Sequence, residues 1–560
     1  GLEVKVPGRA GRDFTLAARQ GEGREDQTVM TVEGDVKLTA SDGLVVTTDR
    51  ATYDSAEDIV RVPGNVRFSR KRTTGSSVGA TYDRTRDVLW MLANAAIDAT
   101  PDETGQGRLA LRAGAAGFAR RDRYIRFEGR MSLEQDGQRA EGDTAMAYLQ
   151  PDEDLLTMVE LRGSSQVALE VTGPGQLQSM AAQDINLHYR EDGRTLERVT
   201  LANAAVIQFA GAGGQQGRRL SASWMDVTLE PDGTPLVVAA RDQVELSLPA
   251  EGATPARRIR AVSLEAVGGP GRGITTARFL DQVEFREGRP ARGGRPAGGR
   301  RVRSRSLDAV VQPGFAGLDA AQFGGGVRLS DGDLEAAAPD AAYNVLKGTM
   351  QLVAGGSGPG AMVSDAQATI EARRIDITLE GQDLEADQDV RSVLKASSRT
   401  GGGAAAVRRP GMLKQDQPVN VTASHLAYDS ANGKATYTGD ARLWQGETAV
   451  QGQTIVLDDK QGNLTATGGV RSSWRLLDTD PKTKVSEVKT TVATGAELVY
   501  EGAQRRATYT TDARLNGPEG DLRAQKIELY LAPSGDRLER LEAYTDVTLH
   551  TEGRESAGAR

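Results

Sequence analysis

Apolar and polar residues alternate in steps of two along most of the chain, a period that predicts β-strands with one buried face. In ATYTGDARLWQG, Ala435, Tyr437, Ala441 and Leu443 alternate with Thr436, Thr438 and Arg442, interrupted at Gly439-Asp440, which reads as a turn. In QTIVLDDKQGNLTATGGV, Ile455 and Leu457 share a face, and Lys460-Gln461-Gly462-Asn463 reads as a hairpin turn. Val36 and Leu38, then Val66 and Phe68, repeat the pattern near the start. Turn signals recur at Ser41-Asp42-Gly43, Pro63-Gly64-Asn65, Gln135-Asp136-Gly137, Glu191-Asp192-Gly193 and Pro231-Asp232-Gly233. Their rhythm predicts short antiparallel strands, about one per 11 residues and roughly 50 in all. Helical spacing is scarce; LQPDEDLLTMVELRG admits one helical turn but also reads as a turn followed by a strand.

The alternation is organised into repeats. LAYDSANGKATYTGDARL, Leu426 to Leu443, returns as LVYEGAQRRATYTTDARL, Leu498 to Leu515. Tyr428 aligns with Tyr500, Tyr437 with Tyr509, Ile455 with Ile527 and Leu457 with Leu529, a constant offset of 72. Looser copies run from Ala51 to Phe68 and from Ala80, with weaker ones at Ala147-Tyr148, Leu187-His188-Tyr189 and Ala342-Tyr343. The unit is a strand, a turn and a return strand, which buries one residue in two and cannot close a core alone. Three stretches break the pattern and read as loops or linkers: 210–219, the Arg/Gly/Pro-rich 287–305 and the Gly/Ala/Ser-rich 396–418.

Composition changes the picture in one direction. A chain of 560 residues would ordinarily form three or four domains, but 38% apolar and 4% aromatic residues with 66 glycines are lean for large compact cores. A repeat protein, whose units pack only on their neighbours, needs less. The net charge of −8, with both signs interspersed, does not mark a nucleic-acid binder. Cysteine is absent, which removes disulfides, thiolate nucleophiles and cysteine-based zinc sites. No run of about 18 apolar residues predicts a membrane-spanning helix. The chain opens at Gly1 without Met, which we read as a processed or trimmed segment with room for an upstream anchor or signal.

Catalytic patterns are missing. The three histidines, His188, His425 and His550, lie far apart without ligand spacing. Asp458-Asp459 falls in a turn, where Asp serves local hydrogen bonding. There is no GxSxG and no P-loop, and Gly324-Gly325-Gly326 lacks the Lys and Ser/Thr of a phosphate cradle. The reading is a non-enzyme with no cofactor and no metal. Eight arginines between Arg286 and Arg305, without aromatics to stack bases, read as a solvated insertion, with lipid phosphates as the natural target if the stretch has a role.

The repeated Ala-x-Tyr-Asp, Gly-Asn/Asp-Ala/Val-x-Leu, Gln-Gly, Ile-x-Leu-Asp and Leu-x-Ala-x-Gly-x-Val elements resemble the OstA-like (LptA/LptC) proteins of lipopolysaccharide transport. The densest match is Tyr428-Asp429, Gly439-Asp440-Ala441-Arg442-Leu443, Gln445-Gly446, Ile455-Val456-Leu457-Asp458, Leu464, Ala466, Gly468 and Val470. The second copy keeps Tyr500, Ala513-Arg514-Leu515, Ala524, Ile527 and Leu529, and departs at Thr511-Asp512, where the glycine is missing. The opening 100 residues resemble the LptC branch through Gly34-Asp35-Val36, Ala51-Thr52-Tyr53-Asp54, Gly64-Asn65-Val66-Arg67-Phe68 and Gly79-Ala80-Thr81-Tyr82-Asp83; residues 100–395 match loosely.

The resemblance implies an all-β fold: an elongated, repetitive antiparallel β-jellyroll whose two sheets form an open V-shaped groove. It implies a periplasmic protein that shields lipopolysaccharide acyl chains on their way to the outer membrane. The partners it implies are lipopolysaccharide or a related lipid, inner-membrane ABC transporter components, and other β-jellyroll bridge proteins docked through edge strands; an N-terminal membrane tether is a further expectation. Expected divisions are an LptC-like jellyroll at 1–165, diverged repeats at 166–395, a linker at 396–418 and LptA-like tandem repeats at 419–560. The expected groove lining is Val36, Leu38, Val66, Phe68, Leu89 and Met91, then Leu443, Ile455, Leu457 and Val470, then Leu515, Ile527 and Leu529. Each could equally fill a closed core, and the alternative reading is a structural β-sandwich rod without lipid cargo.

Overall fold

The structure, a computed structural model, describes the chain apart from residues 7–13, 24–27, 102, 104, 106, 152–154, 171, 172, 174, 212–216, 253, 290–297, 357, 397–407, 480–485, 518, 519 and 551–560. Most of the Arg/Gly-rich stretch, half of 396–418 and the middle of 210–219 thus lie outside the described residues. Among the described residues the fold is all-β: 38 antiparallel strands hydrogen-bonded into one sheet, with a single 3-10 turn at Pro313–Phe315. Two compact units are present, Gly1–Val283 with Asp308–Leu318, and Glu284–Leu307 with Asp319–Arg560.

The strands are fewer and longer than the turn signals suggest, because two of those signals are not turns. Lys434–Gln445 runs as one strand through Gly439-Asp440, and Ile59–Arg70 runs through Pro63-Gly64-Asn65. Each site is a β-bulge. Opposite Thr448–Asp458 the register breaks between Thr438 and Ala441, so that Gly439 and Asp440 together face Gln453 alone. Their φ angles are 82° and 50°, the left-handed region that glycine occupies freely and Asp tolerates. The device recurs at Gly34-Asp35, Gly129-Arg130, Gly163-Ser164 and Gly468-Gly469, and without glycine at Asn203-Ala204, Asp242-Gln243 and Thr511-Asp512.

Bulges bend the strands that carry them. Ser472 lies past the bulge of Asn463–Thr479, whereas Tyr509 lies before the bulge of Arg506–Gly517. Their hydroxyls are nevertheless 2.5 Å apart, and Trp474 Nε1 donates to Ser472 Oγ at 2.9 Å and to Tyr509 Oη at 2.8 Å. The two halves of each strand therefore face each other across a corner. The bulge also slips the alternation on the partner strand: Val450 and Ile455, five apart, both face inward. Two motif tyrosines close their hairpins, Tyr53 donating to Asp58 at 2.9 Å and Tyr82 to Asp87 at 2.8 Å, whereas Tyr428 reaches the turn of the next hairpin and donates to Asp459 at 3.1 Å.

Candidate functional site

Inward-facing side chains are not equally covered along the chain. In the first strands of the N-terminal unit, most of the burial lies at the corner, with Ala40 buried as well at a strand end. At the corner, Val32, Val36, Val66, Ala80, Met91 and Ala95 are 1–6% exposed. Toward one end of the strands Leu38, Val46, Phe68 and Ile97 are half-buried, and toward the other Tyr53, Val60, Tyr82 and Leu89 are half-buried. Register joins each set into a row: Leu38 pairs with Val46, Val46 with Phe68, Phe68 with Gly75 and Gly75 with Ile97. A Cβ on Gly75 would collide with the Phe68 ring, so the glycine lets the ring lie across its neighbour. The arrangement is an apolar trough, tight at the corner and open toward two lips.

Farther along, the interior closes. Leu161, Ile185, Val199, Leu201, Ile207 and Phe209 are wholly inaccessible. Within the C-terminal unit so are Leu443, Ile455, Leu464, Leu498 and Tyr500. Burial pushes the Tyr437 phenol up to about 12, and it raises the Asp459 carboxyl as well. In the same unit, Arg300 Nη1 donates to Glu287 Oε1 at 2.9 Å, its Nε lies 3.5 Å from Asp331 Oδ2, and the Tyr343 hydroxyl donates to Glu287 Oε1 at 3.0 Å. All four are at most 6% exposed, so the interior is ionic at that point and offers no apolar surface.

Of the thirteen expected lining residues, Val36, Val66 and Met91 sit at the corner of the open trough, and Leu38, Phe68 and Leu89 on its half-exposed flanks. Leu443, Ile455, Leu457, Val470, Leu515, Ile527 and Leu529 face a closed interior, each 0–8% exposed. Tyr53, Val60, Tyr82 and Ile97 also flank the trough, and the sequence reading missed them. Their signal is the slip in alternation at the bulge, which places both Gly75 and Ala80 inside one strand.

Among the described residues no group of three or more His, Cys, Asp and Glu could hold a metal ion. His425 instead pairs with Asp387, Nδ1 to Oδ1 2.6 Å. The outermost strands have one bare edge each. Leu2–Val6 pairs only with Phe14–Ala18, and Leu538–Tyr544 and Thr548–His550 pair only with Gly520–Leu531 among the described residues. Val547 and Leu549 beside the latter edge are 52% and 59% exposed.

Two segments match family models. Residues 3–97 match lipopolysaccharide-assembly, LptC-related proteins, and residues 412–535 match the LptA/(LptD N-terminal domain) LPS transport proteins. Among solved structures, the chain is similar to LptH from Pseudomonas aeruginosa, described as the LptA homologous periplasmic component of the conserved lipopolysaccharide transport device. Identity is 23%, over 26% of this chain and 90% of that one, with a TM-score of 0.19. No curated protein matches the chain.

Proposed function

Because the chain carries an LptC-related segment and an LptA-like segment, both of lipopolysaccharide-transport families, we propose that it is a periplasmic bridge protein. On this reading it shields lipopolysaccharide acyl chains from water between the inner and outer membranes. The observation that carries the reading is the open N-terminal trough, whose apolar flanks are half-exposed where a closed sandwich would bury them. Each acyl CH₂ removed from water gains about 0.8 kcal/mol, so a trough a dozen carbons long gains on the order of 10 kcal/mol per chain. Movement then requires successive sites of similar depth, and the closed interior farther along would have to open to provide them. The bare edges at the two ends fit partners that extend the sheet by strand pairing: bridge proteins of the same fold and the transporter that supplies the energy.

Photo-crosslinking tests the reading. A photoreactive residue at Phe68 or Leu89 gives lipopolysaccharide adducts, whereas one at the outward-facing Arg67 does not. Equal yields at inward and outward positions, or none at either, would remove the lipid assignment. The wholly closed interior around Leu201 and Ile207 favours a second reading, a structural scaffold without cargo; the adduct-free outcome is the one that reading expects.

A further inference from the structure

The LptA-like part has the same strand pattern as the open trough, yet its interior is shut, and residues 408–418 lie across part of it. This segment precedes the strand Val419–Asp429 and forms no strand itself. At its start the Arg408 amide donates to the Asp459 carbonyl at 2.7 Å, in the hairpin turn after Thr448–Asp458. Next, Gly411 lies over Tyr500, where an added Cβ would be 2.6 Å from the Tyr500 hydroxyl, and the Gly411 carbonyl abuts Gly535 in the turn after Gly520–Leu531. The Lys414 amide then donates to Gln445 Oε1 at 2.6 Å, and Gln445 Nε2 donates back to the Lys414 and Gln417 carbonyls at 2.9 and 3.1 Å.

These contacts lie at opposite ends of the strands. Gln445 ends Lys434–Gln445, and Lys434, at its start, pairs with Asp458. Drawn out straight, that strand would span about 36 Å. The seven residues from Arg408 to Lys414, six Cα-to-Cα steps, reach about 22 Å at most. The segment therefore bridges lip to lip across strands folded at their bulges. Met412 and Leu413, at mid-span, are buried at 7% and 4% exposure. The buried Arg409 holds the bridge by donating to the carbonyls of Gln417 at 2.7 Å, Gln415 at 3.3 Å and Lys395.

A parallel exists in the other unit. Phe315, on the 3-10 turn, is wholly buried against Phe209 with ring centroids 5.7 Å apart, and the buried Arg218 donates to the Ala316 carbonyl at 3.1 Å. In both places an arginine fixes a loop that puts an apolar side chain into the interior.

We infer that residues 408–418 are a strap that seals the C-terminal trough, with Met412 and Leu413 standing where an acyl chain would lie, so that an apolar ligand reaches the interior beside Tyr500 only when the strap lifts. Its purpose rests on the transport reading; the closure itself does not. Ligand affinity is lowered by the fraction of time the strap is closed, and weakening the latch raises it.

The chain has no cysteine, so single cysteines report access cleanly. Reporters are Ile455→Cys in the closed interior, Phe68→Cys in the open trough and Leu352→Cys, wholly buried in the same unit on the strand Thr349–Val353. With a small maleimide, Phe68→Cys labels fast and the other two slowly. Adding Arg409→Ala or Gln445→Ala, each of which removes two or more hydrogen bonds, speeds labelling of Ile455→Cys by about tenfold or more and leaves Leu352→Cys unchanged. If Ile455→Cys does not fold, Leu498→Cys takes its place. Labelling of the covered cysteine at the same rate with and without the latch, or equal acceleration at Leu352→Cys, overturns the strap. Lipopolysaccharide micelles then protect Ile455→Cys more in the latch variants than in the parent. Acceleration by the latch variants with no protection at either trough supports the strap and overturns the transport reading instead.

Discussion

Replacing Gly439 by alanine tests the bulge as the corner-forming device. At φ 82° an L-residue pays about 1–2 kcal/mol relative to glycine. The new Cβ would also lie 2.6 Å from Ser424 Cβ and Oγ on the neighbouring strand, and crowding of that kind costs about 1–3 kcal/mol. Alanine's smaller unfolded-state entropy offsets about 0.4–1 kcal/mol. The net loss is about 2–3 kcal/mol. The repeat supplies the reciprocal change: Thr511 occupies the equivalent position at φ 63°, where a β-branched residue is strained. Thr511→Gly relieves about 1–2 kcal/mol of that strain and returns about 0.5–1 kcal/mol in chain entropy, a gain of about 0.5–1 kcal/mol. Because two units need not unfold together, the assay is native-state hydrogen exchange, read at the Arg442 and Arg514 amides. Gly439→Ala should speed exchange at Arg442 by roughly 30- to 150-fold, and Thr511→Gly should slow it at Arg514. Less than a threefold change for the first, or faster exchange for the second, would show that backbone sign at the bulge does not hold the corner.

Arg300→Met removes the guanidinium between two buried carboxylates and should destabilise the C-terminal unit by about 3–5 kcal/mol; thermal unfolding read by circular dichroism checks this, and a neutral result would contradict the buried ionic cluster. Tyr437 titrates near 10 when unfolded and at about 12 when folded. Its contribution is intact below pH 10 and is lost as pH rises from about 10 to 12, a loss on the order of a few kcal/mol. Tyr437→Phe should accordingly move alkaline unfolding to higher pH, and an unchanged midpoint would count against burial as the cause. Prolines at Val547 and Leu549 should abolish strand-paired docking of a β-jellyroll partner in a pull-down while leaving the melting temperature of the chain unchanged; retained docking would show that this edge is not the contact.

The sequence by itself determined the strand class, the repeat and the hairpins, because each is written locally. Period-2 alternation needs only neighbouring residues, and Tyr53 finds Asp58 and Tyr82 finds Asp87 within five positions. It also identified which apolar residues face inward, Ile455 and Leu457 among them. It misread Gly439-Asp440 and Pro63-Gly64-Asn65 as turns, since a glycine followed by Asp or Asn signals positive φ without saying whether the strand resumes its pairing beyond. Only the tertiary structure decided that, because pairing with the next strand continues past the bulge and holds the chain extended. It alone also decided which interiors are open: Phe68 and Leu443 share one pattern, but the first is half-exposed and the second wholly buried, near the end of the strand where Gln445 holds a loop. Coverage of that kind is set by residues distant along the chain and leaves no mark on the local alternation.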